Sequence, residues 1–162
     1  MKASDNQALK LGEVDFGILN ELTGYWLRWA QLNTYKNIRC FFFDEFDITP
    51  GLFGVLEVVG CNPGLTQTAV AKAIGNDRSA MVAIVDKLEK RGLIERKPSE
   101  TDRRSNALFL TSAGKVFRDR VAGRAWDHNE EFFSMLTAEE HQQFVGLLKR
   151  VALAGPSTEA KQ

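Results

Sequence analysis

Between Thr66 and Leu110 the chain places its structure-making residues in an order that constrains its fold more than any other feature. Thr66 precedes a short helical pattern with Val70, Ala71 and Ile74 as its inner face, and a hydroxyl residue there satisfies free backbone N–H groups as an N-cap. Gly75-Asn76 ends that helix. Asn76 or Asp77 caps a second helix running to about Arg91, with Met81, Val85 and Leu88 inward. Gly92 is a fitting C-terminal stop. Two strand-like pieces follow, Leu93 to Lys97 and Asn106 to Leu110, and the polar segment between them carries Arg103-Arg104. Two short helices joined by a glycine turn form a helix-turn-helix, and a hairpin with a cationic loop adds a wing.

Helical patterns flank this middle on both sides. From about Val14 to about Phe43 there is no proline, and Ile18, Leu22, Tyr25, Trp26, Trp29 and Leu32 recur at helical spacing. One continuous helix over that stretch would be roughly 45 Å long at 1.5 Å per residue. A small domain cannot cover it alone, so part of the stripe is expected to meet a second chain. Asp44 to Pro50 interrupts the pattern, and Thr49-Pro50 opens a helix bearing Leu52, Phe53, Val55, Leu56, Val58 and Val59. Beyond the hairpin, Thr111 caps a long helix to about Met135, with Val116, Phe117, Val121, Trp126 and Phe132/Phe133 on its apolar stripe. Thr137 opens a last helix with Phe144, Leu147, Leu148 and Val151, and the tail after Gly155-Pro156 is expected to be disordered. The expected architecture is mainly α: an N-terminal dimerisation helix in residues 1–48, a winged lobe in 49–112, C-terminal dimerisation helices in 113–154 and a tail in 155–162.

The whole chain is neutral, with 21 basic and 21 acidic side chains among 162 residues, which excludes a uniformly basic coat protein and a polyelectrolyte-like disordered chain. The charge is nonetheless unevenly spread. Residues 1–65 hold 5 basic and 8 acidic groups, residues 66–105 hold 9 and 6, and residues 106–162 hold 7 of each. The basic middle points to a polyanion partner. No apolar run approaches the roughly 20 residues that span a bilayer, and the polar start Met1 to Asn6 has no apolar signal core behind it, so a cytoplasmic protein is expected. Two cysteines, Cys40 and Cys61, cannot build a disulfide framework or a four-thiolate zinc site. Two histidines leave little for metal or triad chemistry, and Glu139-Glu140-His141 alone is a weak metal ligand set. Phosphate-loop, nucleophile-elbow and HExxH patterns are all missing, so no enzyme and no cofactor is expected.

Duplex DNA suits the middle segment. Its major groove admits one helix, whose N-terminal residues face the base edges. Here those are Asn76, Asp77, Arg78 and Ser79, with Arg78 the fork donor able to read guanine. Backbone N–H groups at the helix starts near Thr66 and Asn76 can take phosphates. Arg103 and Arg104 have the reach for an adjacent minor groove, and Asp102 is expected to brace one of them by a bidentate pair.

The stretch from Asn62 to Gly114 resembles the multiple-antibiotic-resistance regulator (MarR) family of bacterial transcription factors. The matching pieces are Pro63-Gly64-Leu65-Thr66-Gln67, Asp77-Arg78-Ser79, Val85-Asp86-Lys87-Leu88-Glu89, Arg91-Gly92-Leu93-Ile94, Asp102-Arg103-Arg104 and Leu110-Thr111-Ser112-Ala113-Gly114. The resemblance covers about a third of the chain. It implies a homodimer with interlocked terminal helices, a palindromic operator, and repression relieved by a small molecule, often aromatic. The DNA-binding candidates are then Thr66, Gln67, Thr68, Asn76, Arg78, Ser79, Val82, Lys87, Arg103 and Arg104. Many members place threonine and arginine where this chain has Val82 and Ala83, so base reading is expected to lean on Arg78, Ser79 and the wing.

Family ligand pockets lie near the long N-terminal helix, the second helix and the start of the fifth. Trp26, Arg28, Trp29, Asn33, Phe53 and, farther off, His128 fall on those elements. An aromatic wall with one guanidinium suits a phenolic acid, an aldehyde or a derived thioester. The same aromatic residues could instead be plain dimer core. Redox sensing through Cys40 is a second possibility, although its neighbours Phe41 to Phe43 suggest an inert, buried thiol. A helical dimeric interaction protein without DNA binding would account for the termini but not for the arginine-tipped wing.

Overall fold

The computed structural model describes residues 14–99 and 106–154, and the expected wing tip and C-terminal tail lie outside them. The chain divides into two compact units, residues 1–54 and 55–162. In the first, the long helix expected from Val14 is two pieces. A 3-10 turn, Gly17–Glu21, is followed by Leu22 in extended conformation (φ −87°, ψ 115°), and α1 spans Thr23–Phe46. The Asp15 carboxylate accepts from the Gly17 N–H at 2.8 Å, and Gly17 itself sits at φ +49°. That local turn replaces the first helical turns. The Trp26 indole N–H then donates to the Asn20 carbonyl at 2.8 Å, tying the turn to the helix.

At its C-terminus α1 runs past Phe43 and stops at Asp47, a left-handed residue (φ 50°) whose N–H returns to the Phe43 carbonyl. Phe42, Phe46 and Ile48 are buried, and the Phe42 ring meets Phe41 at 5.3 Å and Phe53 at 5.0 Å. Cys40 is exposed, contrary to the expected apolar burial, because the inward positions of this turn are Phe42 and Phe46. Thr49 and Pro50 do open α2 (Pro50–Cys61), with the Leu52 N–H donating to the Thr49 hydroxyl at 3.3 Å.

The second unit holds the rest of α2, then α3 (Gln67–Ala73), α4 (Arg78–Lys90), β1 (Ile94–Pro98), β2 (Asn106–Leu110), α5 (Ser112–Phe132) and α6 (Ala138–Leu153). Its core is drawn from every early element: Val55, Leu56, Val59, Val70, Met81, Val85, Leu88, Leu108 and Val121 are all fully buried. Burial of such side chains stabilises by about 1.5–3 kcal/mol each before entropy is counted. The strands pair antiparallel, Ile94 opposite Leu110 and Pro98 opposite Asn106, and Thr66 bridges Ala107 on the other edge of β2. Thr111 caps α5 through the Gly114 N–H at 2.9 Å, and Thr137 forms a capping box with Glu140 at the start of α6.

Arg118 on α5 forks onto Glu57 of α2 at 3.0 and 3.3 Å, and the neighbouring carboxylate holds the guanidinium further into its charged range. On the stripe expected for α5, Val121 is buried while Val116 and Trp126 are 72% and 66% exposed, so those two face away from this unit. No helix among the described residues is long and apolar enough to cross a membrane.

Candidate nucleic-acid interface

The lobe begins at Gly64, whose φ of +91° turns the chain so that its N–H reaches the Leu108 carbonyl at 2.9 Å. Leu65 accepts from Leu108 in return, which fixes the start of α3 beside β2. Thr66 caps α3 by accepting from the Ala69 N–H at 3.2 Å. Gln67 and Thr68 stand in its first turn, Gln67 half-buried and Thr68 exposed. At Gly75 the backbone turns left-handed (φ +71°), and the Asn76 N–H closes the corner on the Ala71 carbonyl at 3.0 Å.

Of the two candidate caps, Asp77 is the one used. Its carboxylate accepts from the Ala80 N–H at 2.8 Å and from the Ser79 hydroxyl at 2.6 Å. These bonds, the Ala80 N–H first and the Ser79 hydroxyl next, hold the Asp77 carboxyl below its usual range. A depressed carboxyl contributes stability that is present above the unfolded value near 3.8 and is lost as pH falls through the lowered folded value. Asp77→Asn keeps the cap but cannot titrate. We therefore expect the lobe's unfolding midpoint in urea to fall less steeply below pH 4 in that variant than in the natural chain.

Capping also changes what α4 can offer a duplex. The Ser79 proton is committed to Asp77, so to any further partner this side chain presents only lone pairs. Arg78 is exposed at the first helical position, and Val82 is 41% exposed one turn on. A helical period puts Ser79, Ala83 and Lys90 opposite the buried stripe of Met81, Val85 and Leu88. Lys72, Arg78, Lys87 and Lys90 are exposed and make no ion pair among the described residues. Other cations of the basic middle are used within the fold. Arg91 lies over the Phe117 ring, Arg96 pairs with Asp86 and Glu89, and Lys97 pairs with Glu95 while covering the Phe109 ring. Asp102, Arg103 and Arg104 lie outside the described residues.

The ligand candidates divide. In the first unit, Trp29 and Asn33 line a groove of about 660 Å³ along one face of α1, together with Lys36, Arg39, Cys40 and Phe43. Trp26, Arg28 and Phe53 are not on it: Trp26 is engaged with Asn20, Arg28 is exposed, and the Phe53 ring packs at a tilt against Phe42. The sequence reading missed Lys36 and Arg39. Their spacing of three and six from Asn33 was the available signal. His128 belongs to the second unit, stacked on Phe132 at 6.4 Å, and Phe132 continues through Phe133 to His141 across the α5–α6 elbow.

Comparison with known proteins agrees with this geometry. The model of the MarR family matches residues 46–105. A putative transcriptional regulatory protein for the hcr operon of Thauera aromatica is 36% identical over 141 residues, spanning 87% of this chain and 85% of the relative. The fold superposes on the transcriptional repressor CouR bound to a 23-mer DNA duplex with a TM-score of 0.80, at 34% identity over 87% of this chain and 99% of CouR. It also superposes on the PcaV transcriptional regulator of Streptomyces coelicolor in complex with its natural ligand, with a TM-score of 0.73 and 29% identity over 89% and 99% of the two chains. A helix-turn-helix with a two-stranded wing, joined to near full-length likeness with such regulators, means that this chain belongs to the MarR family of transcriptional regulators.

Proposed function

We propose that this protein is a cytoplasmic repressor that binds a palindromic operator as a homodimer and leaves it when a small aromatic acid, aldehyde or derived thioester binds. The observation that carries DNA binding is the exposed start of α4, with Arg78 at its first position, in a chain 34% identical to a repressor solved on a duplex. Thr66, Gln67, Thr68 and Asn76 flank that helix start and supply backbone and side-chain donors for phosphates. Arg78, Ser79 and Val82 meet base edges, Lys87 a phosphate, and Arg103 and Arg104 the minor groove with Asp102 as brace.

Dimerisation is supported by large apolar side chains left exposed on α1, α5 and α6, among them Tyr35, Phe43, Trp126, Leu147 and Val151. Residues 1–48 and 113–154 serve that interface and residues 49–112 read DNA. Effector binding is supported by the α1 groove, where Trp29 and Phe43 give apolar walls and Lys36 and Arg39 give anion partners. CouR itself is solved with p-coumaroyl-CoA at 31% identity. Trp26, Arg28, Phe53 and His128 complete the proposed binding set.

The test is thermal unfolding of the wild-type protein against aromatic acids, aldehydes, their coenzyme A thioesters and mild peroxide. A true effector at a large excess over its dissociation constant raises the midpoint by several degrees. The same compound is expected to release the protein from DNA. A response to peroxide alone would replace this reading with sensing through the exposed Cys40 or Cys61. Silence throughout would leave the groove as dimer surface.

A further inference from the structure

We propose that Arg96 is a positioning residue for DNA reading, which fixes the angle between the wing hairpin and α4 by bridging Asp86 and Glu89. The inference rests on the DNA-binding reading above and adds a part that touches no DNA. Arg96 lies on β1 opposite Leu108, which is fully buried, and on the same strand face as buried Ile94. This is a position that an apolar residue would fill more cheaply, since a charge facing a core needs partners. Its side chain is only 20% exposed, against 53% for Lys97, the next residue on the outer face.

The partners come from α4. One guanidinium nitrogen of Arg96 donates to Asp86 Oδ1 at 2.5 Å, and the other donates to Glu89 Oε2. Asp86 and Glu89 are three residues apart and share one face of the helix. A planar fork held by two carboxylates is directional where apolar packing is not.

Beside the β2 hydrogen bonds that hold the start of α3, two attachments tie β1 directly to α4. The first is the corner itself: Gly92 at φ +68°, with the Leu93 N–H on the Leu88 carbonyl at 3.0 Å. The second is the Arg96 fork, two residues beyond Ile94 along the strand that leads out to the wing. Direct phosphate binding by Arg96 is disfavoured by charge. One guanidinium and two carboxylates sum to −1, the wrong sign for a phosphate contact.

The experiment measures affinity of the full-length protein for a duplex that the wild-type chain enriches from a random pool, and for a scrambled duplex, across a salt series. Arg96→Met should bind the enriched duplex about tenfold or more weakly, with the scrambled duplex little changed. The slope of log affinity against log salt should stay as in wild type, because no phosphate contact is removed. Arg96→Lys should recover part of the loss. Urea unfolding runs alongside, and if Arg96→Met is unfolded the paired amide variant Asp86→Asn with Glu89→Gln carries the test. That variant leaves the guanidinium in place, and the same loss of discrimination is expected. Unchanged discrimination in these variants would overturn the proposal. So would a shallower salt slope in Arg96→Met, or tighter binding with a steeper slope in the amide variant, because each marks Arg96 as a phosphate contact. A wild-type chain that enriches no duplex overturns the DNA-binding reading itself, and this inference with it.

Discussion

Replacing Gly114 by alanine is expected to destabilise the winged lobe by about 3 kcal/mol or more, at the upper end of overpacking effects. Gly114 is the third residue of α5 and is buried. A Cβ built there would lie 1.9 Å from the Leu93 carbonyl oxygen and 2.9 Å from its carbon. Both are backbone atoms, so no side chain can swing away. The same corner carries three hydrogen bonds: the Thr111 N–H to the Leu93 carbonyl at 3.1 Å, the Thr111 hydroxyl to the Gly92 carbonyl at 2.6 Å, and the Gly114 N–H to the Thr111 hydroxyl at 2.9 Å. Admitting a methyl group means separating α5 from the Gly92–Leu93 turn by more than an ångström. Those bonds would be lost with the packing.

Gly60→Ala is the matched comparison. Its Cβ would meet Arg118 Cδ at 2.9 Å and Leu110 Cδ1 at 3.0 Å, side-chain atoms that can yield, so we expect a loss of only about 1 kcal/mol. Urea unfolding of the two variants beside the natural chain measures the difference. Equal midpoints would mean that the start of α5 can move away from the turn at little cost.

The parts legible in the sequence were those written locally. Thr66, Thr111 and Thr137 cap the helices they were expected to cap, and Gly75 and Gly92 occupy the left-handed corners that glycine signals. A hydroxyl two or three residues before a free N–H needs no distant partner, so its signal survives in one sequence. The break at Leu22 did not show, because apolar spacing runs through Ile18, Leu22 and Trp26 whether or not the backbone is helical there. Asp15 and Gly17 carried the only hint. Exposure of Cys40 was misread for a related reason: three adjacent phenylalanines cannot all face inward on a helix, and only Phe42 of the three is buried. The Arg118–Glu57 pair joins residues 61 apart, and the Arg96 fork joins a strand to a helix. Charge counting saw these residues as a net balance. It could not see that Arg91 lies over Phe117, that Arg96 is held by Asp86 and Glu89, and that the exposed Lys97 is paired with Glu95, which leaves Lys72, Arg78, Lys87 and Lys90 as the exposed cations of this segment with no ion pair among the described residues.

That narrowing makes Arg78→Ala the variant expected to cost DNA recognition most. At the N-terminal turn of α4, Asp77 is occupied as the cap, the Ser79 hydroxyl proton is given to Asp77, and Val82 offers only methyl groups. Arg78 is the fork donor left at the helix end that the proposed DNA-binding mode sets against base edges. Its loss should lower affinity for an enriched duplex by about 1–3 kcal/mol, that is roughly 5- to 150-fold, and relax the preference at one base position in each half-site. The salt slope should barely change if the contact is to a base. Lys87→Ala should behave in the opposite way. Lying a further two turns along the exposed side of α4, it should weaken enriched and scrambled duplexes alike and lower the slope by about one per protomer. Enrichment from a random pool with each variant, read beside the salt series, separates the two roles. If Arg78→Ala selects the same bases as the natural chain while its salt slope falls, Arg78 is a phosphate contact, and sequence reading must pass to Ser79, Val82 and the wing.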